Sequence, residues 1–545
     1  PEERFSVQGV PSSFNDVIGP VMRGPSSSHC AAAARIGRLA RALMDTRLES
    51  VGIAFDQEGS LATTHESQGS DMGLLGGLLG LEPADERIVD YQEEIRKAGI
   101  QISFETGCFA DAHPNTYRLN LKSRKEEHSL VAVSSGGGMI ELLAIDGCPL
   151  SIRGARYELL VFFENRKTAV LRKLEDLLGA GAQLQVLQKP GSEKGFVRLS
   201  SYRPVSTEFM AAAFEGDTGT AVKVLPPVLP VLTPERMDIP FLSCEEMLAT
   251  PGSRQDSLAQ HALKYESARS GMGRDEVLEN MIQLVTCINE SLQRGLSGTS
   301  YENRILKCQS IDFDESLQSG RLLDLGLLNR VIPFVTALME VKSSMGVIVA
   351  APTAGACAAM PGAVLGAGDA LGSDLETIAE SFLAAGMIGV FISKYSTFAA
   401  EVAGCQAECG AASGMAAAAL VTLMGGDAET SVAAASMALQ NSLGMICDPV
   451  ANRVEVPCLG KNVMAASNAV SCANMALAGF DPVIPLDEVI QTMDTVGKSI
   501  PFELRCTALG GLSITRTSKK IQERLQGNQG QASWVVPAIN ASKRK

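Results

Sequence analysis

Histidine is scarce in this chain, with five in 545 residues. Proton transfer by imidazole is therefore confined to His29, His65, His113, His128 and His261. Aromatic residues are thin at 5%, with one tryptophan at Trp534, so the 46% hydrophobic content must build its cores from Ala, Val, Leu, Ile and Met. Positive charge is in deficit: 47 Lys and Arg against 61 Asp and Glu leave a net charge of -14. That balance argues against a nucleic-acid partner and against a basic membrane-facing patch. The start Pro-Glu-Glu-Arg has no basic-then-apolar leader pattern. The apolar stretches 346–370, 381–392 and 411–424 are broken by Gly, Pro, Ser or Lys. None reaches the ~20 uninterrupted apolar residues that a bilayer span needs, and they read as buried core helices. Thirteen cysteines, an odd number spread over a long chain, suit a reducing compartment. The expectation is a soluble, cytoplasmic protein with no membrane partner.

Three of the thiols stand in rigid segments marked by Gly or Pro: Gly404-Cys405-Gln406, Cys447-Asp448-Pro449 and Pro457-Cys458-Leu459. Three thiolates brought together can hold three irons of a cubane cluster and leave a fourth iron open as a Lewis acid. Their long, unequal gaps match neither the short ferredoxin runs nor zinc-finger spacings. A cysteine in an apolar run is also commonly a small buried hydrophobe.

Longer motifs accompany these thiols. Ala351-Pro352-Thr353-Ala354-Gly355, Gly404-Cys405-Gln406-Ala407-Glu408, Cys447-Asp448-Pro449-Val450 and Val454-Glu455-Val456-Pro457-Cys458 resemble the α part of the iron–sulfur-dependent bacterial L-serine dehydratases. Gly24-Pro25-Ser26-Ser27-Ser28-His29, His113-Pro114-Asn115-Thr116 and Ser135-Gly136-Gly137-Gly138 resemble the β part. Their order matches a fused β-then-α chain over roughly residues 14–520. The resemblance implies a 4Fe-4S cluster on Cys405, Cys447 and Cys458, and an amino-acid substrate. It also implies that Ser26, Ser27 and Ser28, with Thr353, Ala354 and Gly355, hold the substrate carboxylate while Asn115 orients the substrate.

Composition and periodicity divide the chain, and the fold class expected is multidomain α+β. Residues 1–150 carry strand candidates at 51–55, 100–104 and 129–133 and a helix at 31–44, forming an α+β domain. The helix follows the serine loop directly, so Ser26–Ser28 either cap it or bind a carboxylate at its positive end. Residues 155–225 read as strands 158–163, 183–188, 195–200 and 220–225 with helices 167–178 and 206–214, a ferredoxin-like βαββαβ order. In the family this position resembles an ACT-type module, which either binds an amino-acid effector or is a structural, dimerising piece. A Pro-rich linker covers 226–240. Residues 241–525 form a large all-α domain that carries the cysteines, with helices expected at 276–294, 374–392, 411–424 and 431–443. Residues 526–545 read as a loosely ordered tail. Ala-rich surfaces and the ACT-like unit suggest a homodimer.

Dehydration of a hydroxy amino acid must remove a weakly acidic α-proton and expel hydroxide. No phosphate-cradling Gly-rich loop paired with a lysine points to pyridoxal phosphate. An open cluster iron with a nearby base is the other route. His29, His65 and His113 stay open as the proton-transfer group, while His128 and His261 read as exposed. Relatives carry Gly-His-Gly-Thr-Asp near residue 68, so their histidine falls on Gln68, which cannot shuttle a proton; separately, relatives commonly have Thr where this chain has Cys30. Some relatives close the open iron with a C-terminal cysteine. Here the last cysteine is Cys506, and the expectation is an iron that carries water or hydroxide. The reading is a lyase that converts L-serine to pyruvate and ammonia. The alternatives are a lyase acting on another β-hydroxy or β-substituted amino acid, a catalytically weakened cluster protein that binds amino acids, or a structural zinc site.

Overall fold

The computed structural model describes residues 9–527, apart from 166, 179–182, 218 and 235–236. The tail expected at 526–545 lies almost wholly outside the described residues. In chain order the strands are β1 (Val21–Met22), β2 (Ser50–Asp56), β3 (Gln101–Gly107), β4 (Thr116–Lys122), β5 (Glu127–Gly136), β6 (Met139–Ile145) and β7 (Cys148–Ile152). They continue with β8 (Tyr157–Phe163), β9 (Leu184–Gln188), β10 (Gly195–Ser201), β11 (Thr220–Leu225) and β12 (Ile348–Val349).

β2 to β7 form one sheet in the order β3-β2-β4-β5-β6-β7. Only the β2–β3 pair is parallel, and the chain between them crosses over through helices including Ser70–Leu78 and Tyr91–Ala98. Alternation along β2 turns Val51, Ile53 and Phe55 into a core shared with helix Ala32–Ala42. β4, β6 and β7 were not anticipated. β4 alternates regularly, with Tyr117, Leu119 and Leu121 buried between Arg118, Asn120 and Lys122, so its pattern was there to be read; β6 and β7 lose the alternation at the irregularity between Leu142 and Ala144.

Two helices pack at unusually close range above this sheet. A Cβ on Gly73 would lie 2.0 Å from the Cys30 carbonyl oxygen, and one on Gly77 would lie 2.1 Å from the Ala34 carbonyl oxygen. Helix Ser70–Leu78 is thereby seated against helix Ala32–Ala42 and the turn Ser27–Ala31 that precedes it.

β8 to β11 form a second sheet in the order β11-β8-β10-β9, with helices Lys167–Leu178 and Thr207–Ala213 between the strands. This is the βαββαβ ferredoxin-like arrangement expected for the segment. β8 joins it to the first sheet's core through Leu160, and Phe162 packs on His128 with ring centroids 5.3 Å apart. His128 is therefore largely covered rather than exposed, and its Nδ1 lies 2.7 Å from Asp146.

The C-terminal part is a helical bundle around Cys409–Leu423, an Ala-rich helix buried on all sides. Leu375–Tyr395, Ala359–Leu371, Ala428–Gln440 and Cys458–Leu477 pack about it. Small side chains allow this crowding, and each buried Leu, Ile or Phe adds about 1.5–3 kcal/mol. Two segments, Ala354–Leu371 and Leu375–Tyr395, are long and apolar enough to cross a membrane, yet 83% and 72% of their windows are buried inside the protein. His261 is also buried, with Nε2 2.8 Å from the Ser253 carbonyl, because its helix is enclosed by the bundle.

The N-terminal and helical parts are stitched by backbone. β1 pairs antiparallel with β12, and the Gly19 amide donates to the Ala350 carbonyl at 2.8 Å. This pairing sets the serine loop against the loop at 353–355.

Candidate active site at the domain junction

The turn Ser27–Ala31 leads into helix Ala32–Ala42 and buries Ser26, Ser27, Ser28 and His29 together. Ser27 Oγ accepts from the Ala354 amide at 3.2 Å, a cap across the domain boundary, whereas no serine side chain caps the turn Ser27–Ala31 or the helix that follows it. Ser28 Oγ donates to Glu401 Oε1 at 2.8 Å. The Thr64 hydroxyl donates to the Ser60 carbonyl at 2.7 Å, so at His29 Nε2, 2.8 Å away, Thr64 can only accept. The proton of neutral His29 therefore sits on Nε2, and Nδ1 accepts from Ser26 Oγ at 3.0 Å, while Ser28 Oγ, 3.2 Å away, has already given its proton to Glu401. Burial holds His29 below the ordinary histidine value, against the opposing pull of Glu401.

His113 is likewise lowered by burial, with Glu401 again pulling upward. Its Nδ1 accepts the Asn115 amide at 3.1 Å, which leaves the proton on Nε2. Asn115 is fully buried at the start of β4, and neither side-chain amide atom has a hydrogen-bond partner. Glu401 Oε2 is orphaned in the same way. Leaving such groups dry costs about 1–3 kcal/mol each, more for a charge. Each marks a place where a polar ligand would complete the bonding.

The cysteines lie on the helical side. Gly404 adopts φ 71°, and a Cβ there would be 2.7 Å from the Met445 carbonyl oxygen, so glycine lets the chain turn and present Cys405. Gln406 locks this turn: its Nε2 donates to the Met493 carbonyl at 2.7 Å and its Oε1 accepts the Gly444 amide at 2.8 Å. Cys447 is fixed by its amide donating to the Leu504 carbonyl at 2.8 Å. Cys458 opens helix Cys458–Leu477, whose free amides and dipole favour a thiolate there. Asn462 on that helix ties it to the 353–359 loop, donating to the Gly355 carbonyl at 2.8 Å and accepting the Ala359 amide at 3.0 Å.

Glu408 joins the two sides. Thr353 donates to its Oε1 at 2.7 Å, its Oε2 lies 3.9 Å from Cys405 Sγ, and a Cβ on Gly355 would meet Oε1 at 2.9 Å. One ligand atom each from Cys405, Glu408 and Cys447 lie within 4.8 Å of one another. Burial, with the nearby charge of Glu401 against the hydrogen bond from Thr353, pushes the Glu408 carboxyl up to about 7. Hydrogen bonding to Cys405 and Cys506, with burial, raises the Cys447 thiol, and burial with the Cys405 charge raises Cys458. A soft metal centre that replaces those protons would relieve this crowding, and no described cysteine is in a disulfide. The residues present therefore fit a thiolate-bound iron–sulfur group.

The structure thus brings together Ser26, Ser27, Ser28, His29, Thr353, Ala354 and Gly355, and places Cys405, Cys447 and Cys458 across Glu408 from them. His65 is held apart from this cluster: its Nδ1 lies 2.8 Å from Asp71 and its ring stacks on Phe55 and Phe104. Gln68 faces Asn452 and Cys506 instead of the serine loop. Cys30 is buried, reaches the Gln68 carbonyl at 3.2 Å, and is pushed up by burial to about 12. Sequence reasoning missed Glu401, Glu408, Thr64 and Cys506. Glu408 stands inside the Gly404-Cys405-Gln406-Ala407-Glu408 motif and could have been found there, whereas Glu401 carries no local signal.

Residues 253–513 match the family model described as serine dehydratase alpha chain. The chain is 33% identical over 287 residues to the probable L-serine dehydratase alpha chain of Bacillus subtilis, covering 53% of this chain and 96% of that one. It is 40% identical over 154 residues to the probable beta chain of the same organism, covering 28% of this chain and 69% of that one. Against the L-serine dehydratase of Streptomyces coelicolor it is 27% identical over 499 residues, 90% of this chain and 96% of that protein. With β-type and α-type parts in one polypeptide, the chain belongs to the iron–sulfur L-serine dehydratase family.

Proposed function

We propose that this protein is a 4Fe-4S-dependent L-serine ammonia-lyase that yields pyruvate and ammonia. The observation that carries the reading is the presence of unpartnered buried Asn115 and Glu401 atoms together with the group formed by Cys405, Glu408 and Cys447. Cys405, Cys447 and Cys458 would hold the cluster, which supplies Lewis acidity toward the substrate hydroxyl when bound. Glu401 Oε2 accepts from the substrate ammonium, and the Asn115 amide with Ser26, Ser28 and the 353–355 loop receives the carboxylate. Neutral His29 accepts the α-proton at Nδ1 through the adjacent serine hydroxyl, and His113 donates from Nε2 toward the departing oxygen. β1 pairing with β12 holds the N-terminal and helical sides of the junction together. Gln68 and His65 support the pocket wall without moving a proton.

We further read the βαββαβ unit as an ACT-type module that contributes to a homodimer; light scattering of the intact protein tests the dimer. The function is tested by anaerobic reconstitution with iron and sulfide and a keto-acid assay over hydroxy amino acids. Serine turnover that disappears in Cys405→Ala together with bound iron is the expected result. A loaded cluster with turnover only of another β-substituted amino acid, or bound zinc without sulfide, would overturn it.

A further inference from the structure

A cavity of about 400 Å³ lies where the N-terminal domain, the Pro-rich segment 227–231 and helix Arg274–Leu296 meet. None of the residues placed in the candidate active site lines it. Phe14, Ile18, Pro83, Leu229 and Leu284 give it apolar walls, and Asn280 and Gln283 add amides from the helical side. Its volume falls within the range of sites that take small organic ligands. The Pro-rich wall is fixed in place: the Val231 amide donates to Asn15 Oδ1 at 3.0 Å, and Asn15 Nδ2 donates to the Val231 carbonyl at 2.6 Å.

Arg35 supplies the charge. It stands on helix Ala32–Ala42, is 2% exposed, and lines the cavity. Among the described residues its one hydrogen-bond partner is the Gly138 carbonyl, which Nη1 meets at 2.6 Å. Burial works against its positive charge, and the charges of Asp16 and Glu82 offset this without forming an ion pair with it. The other arginine on this wall, Arg38, is committed to Glu82 through both Nη atoms, at 2.8 and 2.7 Å. A guanidinium presents its N–H donors in a fixed fork, so Arg35 keeps Nε and Nη2 for a ligand. A buried cation without a counter-ion is costly until an anion pairs with it. Among the lining residues Arg35 is the one cation left unpaired, which selects one carboxylate rather than two.

Backbone links this cavity to the active site. The Gly138 carbonyl that Arg35 holds ends the 135–138 turn. A Cβ on Gly136 would lie 2.7 Å from the Ala399 amide nitrogen, and one on Gly137 would lie 3.3 Å from the Pro352 carbonyl oxygen. The turn therefore sits against the segments that carry Glu401 and Thr353.

We propose that this cavity is an effector site for a small monocarboxylate with an apolar body, the carboxylate pairing with Arg35 and the apolar part lying between Leu229 and Leu284. Such a ligand touches the N-terminal domain, the Pro-rich segment and the helical domain at once. It thereby favours the assembled junction and lowers KM for serine. The activation rests on the serine reading above; the binding does not.

The test is isothermal titration calorimetry of the intact, anaerobically reconstituted protein with 4-methylpentanoate, using 4-methylpentanamide as the uncharged control. Serine kinetics with and without the carboxylate follow. The wild type should bind one equivalent of the carboxylate per chain and none of the amide, and KM for serine should fall about fivefold or more. Arg35→Met should abolish binding. Should that variant fail to fold, Gln283→Trp decides: the indole fills the cavity from an exposed helix position, so this variant should keep serine turnover yet lose the heat of binding and the KM shift. No binding by the wild type, binding that survives in Gln283→Trp, or binding that leaves KM unchanged would each overturn the proposal. A wild type that binds the carboxylate but turns over no serine would reject the proposed function instead, while loss of binding in Gln283→Trp still supports the site.

Discussion

At Asn115 the side-chain amide is fully buried and has no hydrogen-bond partner, so the fold gains nothing from its polarity. Asn115→Leu should therefore leave thermal stability unchanged or raised while increasing KM for serine by about 10–100-fold, the loss of one or two hydrogen bonds to a charged group. Unfolding curves and steady-state kinetics on the same preparation check both halves. His65 gives the opposite kind of residue. Burial lowers its affinity for a proton, but the hydrogen bond and charge of Asp71, with the charge of Glu66, raise it overall. A raised folded-state value means the pair's stabilisation is fully present below the ordinary histidine value and is lost as pH rises through the folded one. The wild type should lose about 0.5–1 kcal/mol more between about pH 6 and about pH 8.5 than Asp71→Asn does, read from urea midpoints. Both residues were legible as candidates from their motifs. Their separation into an amide without a partner and an imidazole paired with Asp71 was not, because stacking of His65 on Phe55 and Phe104 depends on strands distant in sequence.

Among the elements, the helix pair Ala32–Ala42 and Ser70–Leu78 governs how the serine loop is held. Alanine is the better helix former than glycine by about 1 kcal/mol, so Gly73→Ala would stabilise an isolated helix. The added Cβ would sit 2.0 Å from the Cys30 carbonyl oxygen, and overpacking costs about 1–3 kcal/mol or more. The clash wins. Gly73→Ala should lower the melting temperature and, by displacing the residue after His29, reduce kcat more than it raises KM; calorimetry with kinetics tests both. Element existence was plain wherever period and length agreed: helix 167–178 and strand 220–225 stand where apolar spacing put them. β6 was missed because its alternation breaks between Leu142 and Ala144, an irregularity that only the neighbouring strand defines, whereas β4 carries a regular Tyr117, Leu119 and Leu121 alternation that was open to reading.

For the whole molecule, the decisive feature is that the site exists only across the junction between the N-terminal and helical domains. Ser28 meets Glu401, Ser27 meets Ala354, and Gln68 meets Cys506, each pair drawn from opposite domains. Splitting the chain within the Pro-rich segment after residue 225 should give two fragments that are each inactive. Mixed under anaerobic conditions with iron and sulfide, they should regain keto-acid production, because β1 and β12 supply backbone pairing between them. A fragment active alone would show that the junction is dispensable. The sequence by itself determined the family, the order of its parts and the helical nature of the cysteine-bearing domain, because these follow from local pattern and contiguous motifs. Tertiary structure alone decided that Glu401 and Glu408 face the serine loop and that Cys506 joins Cys447, because those contacts are made between segments that periodicity cannot relate and only packing brings within bonding distance.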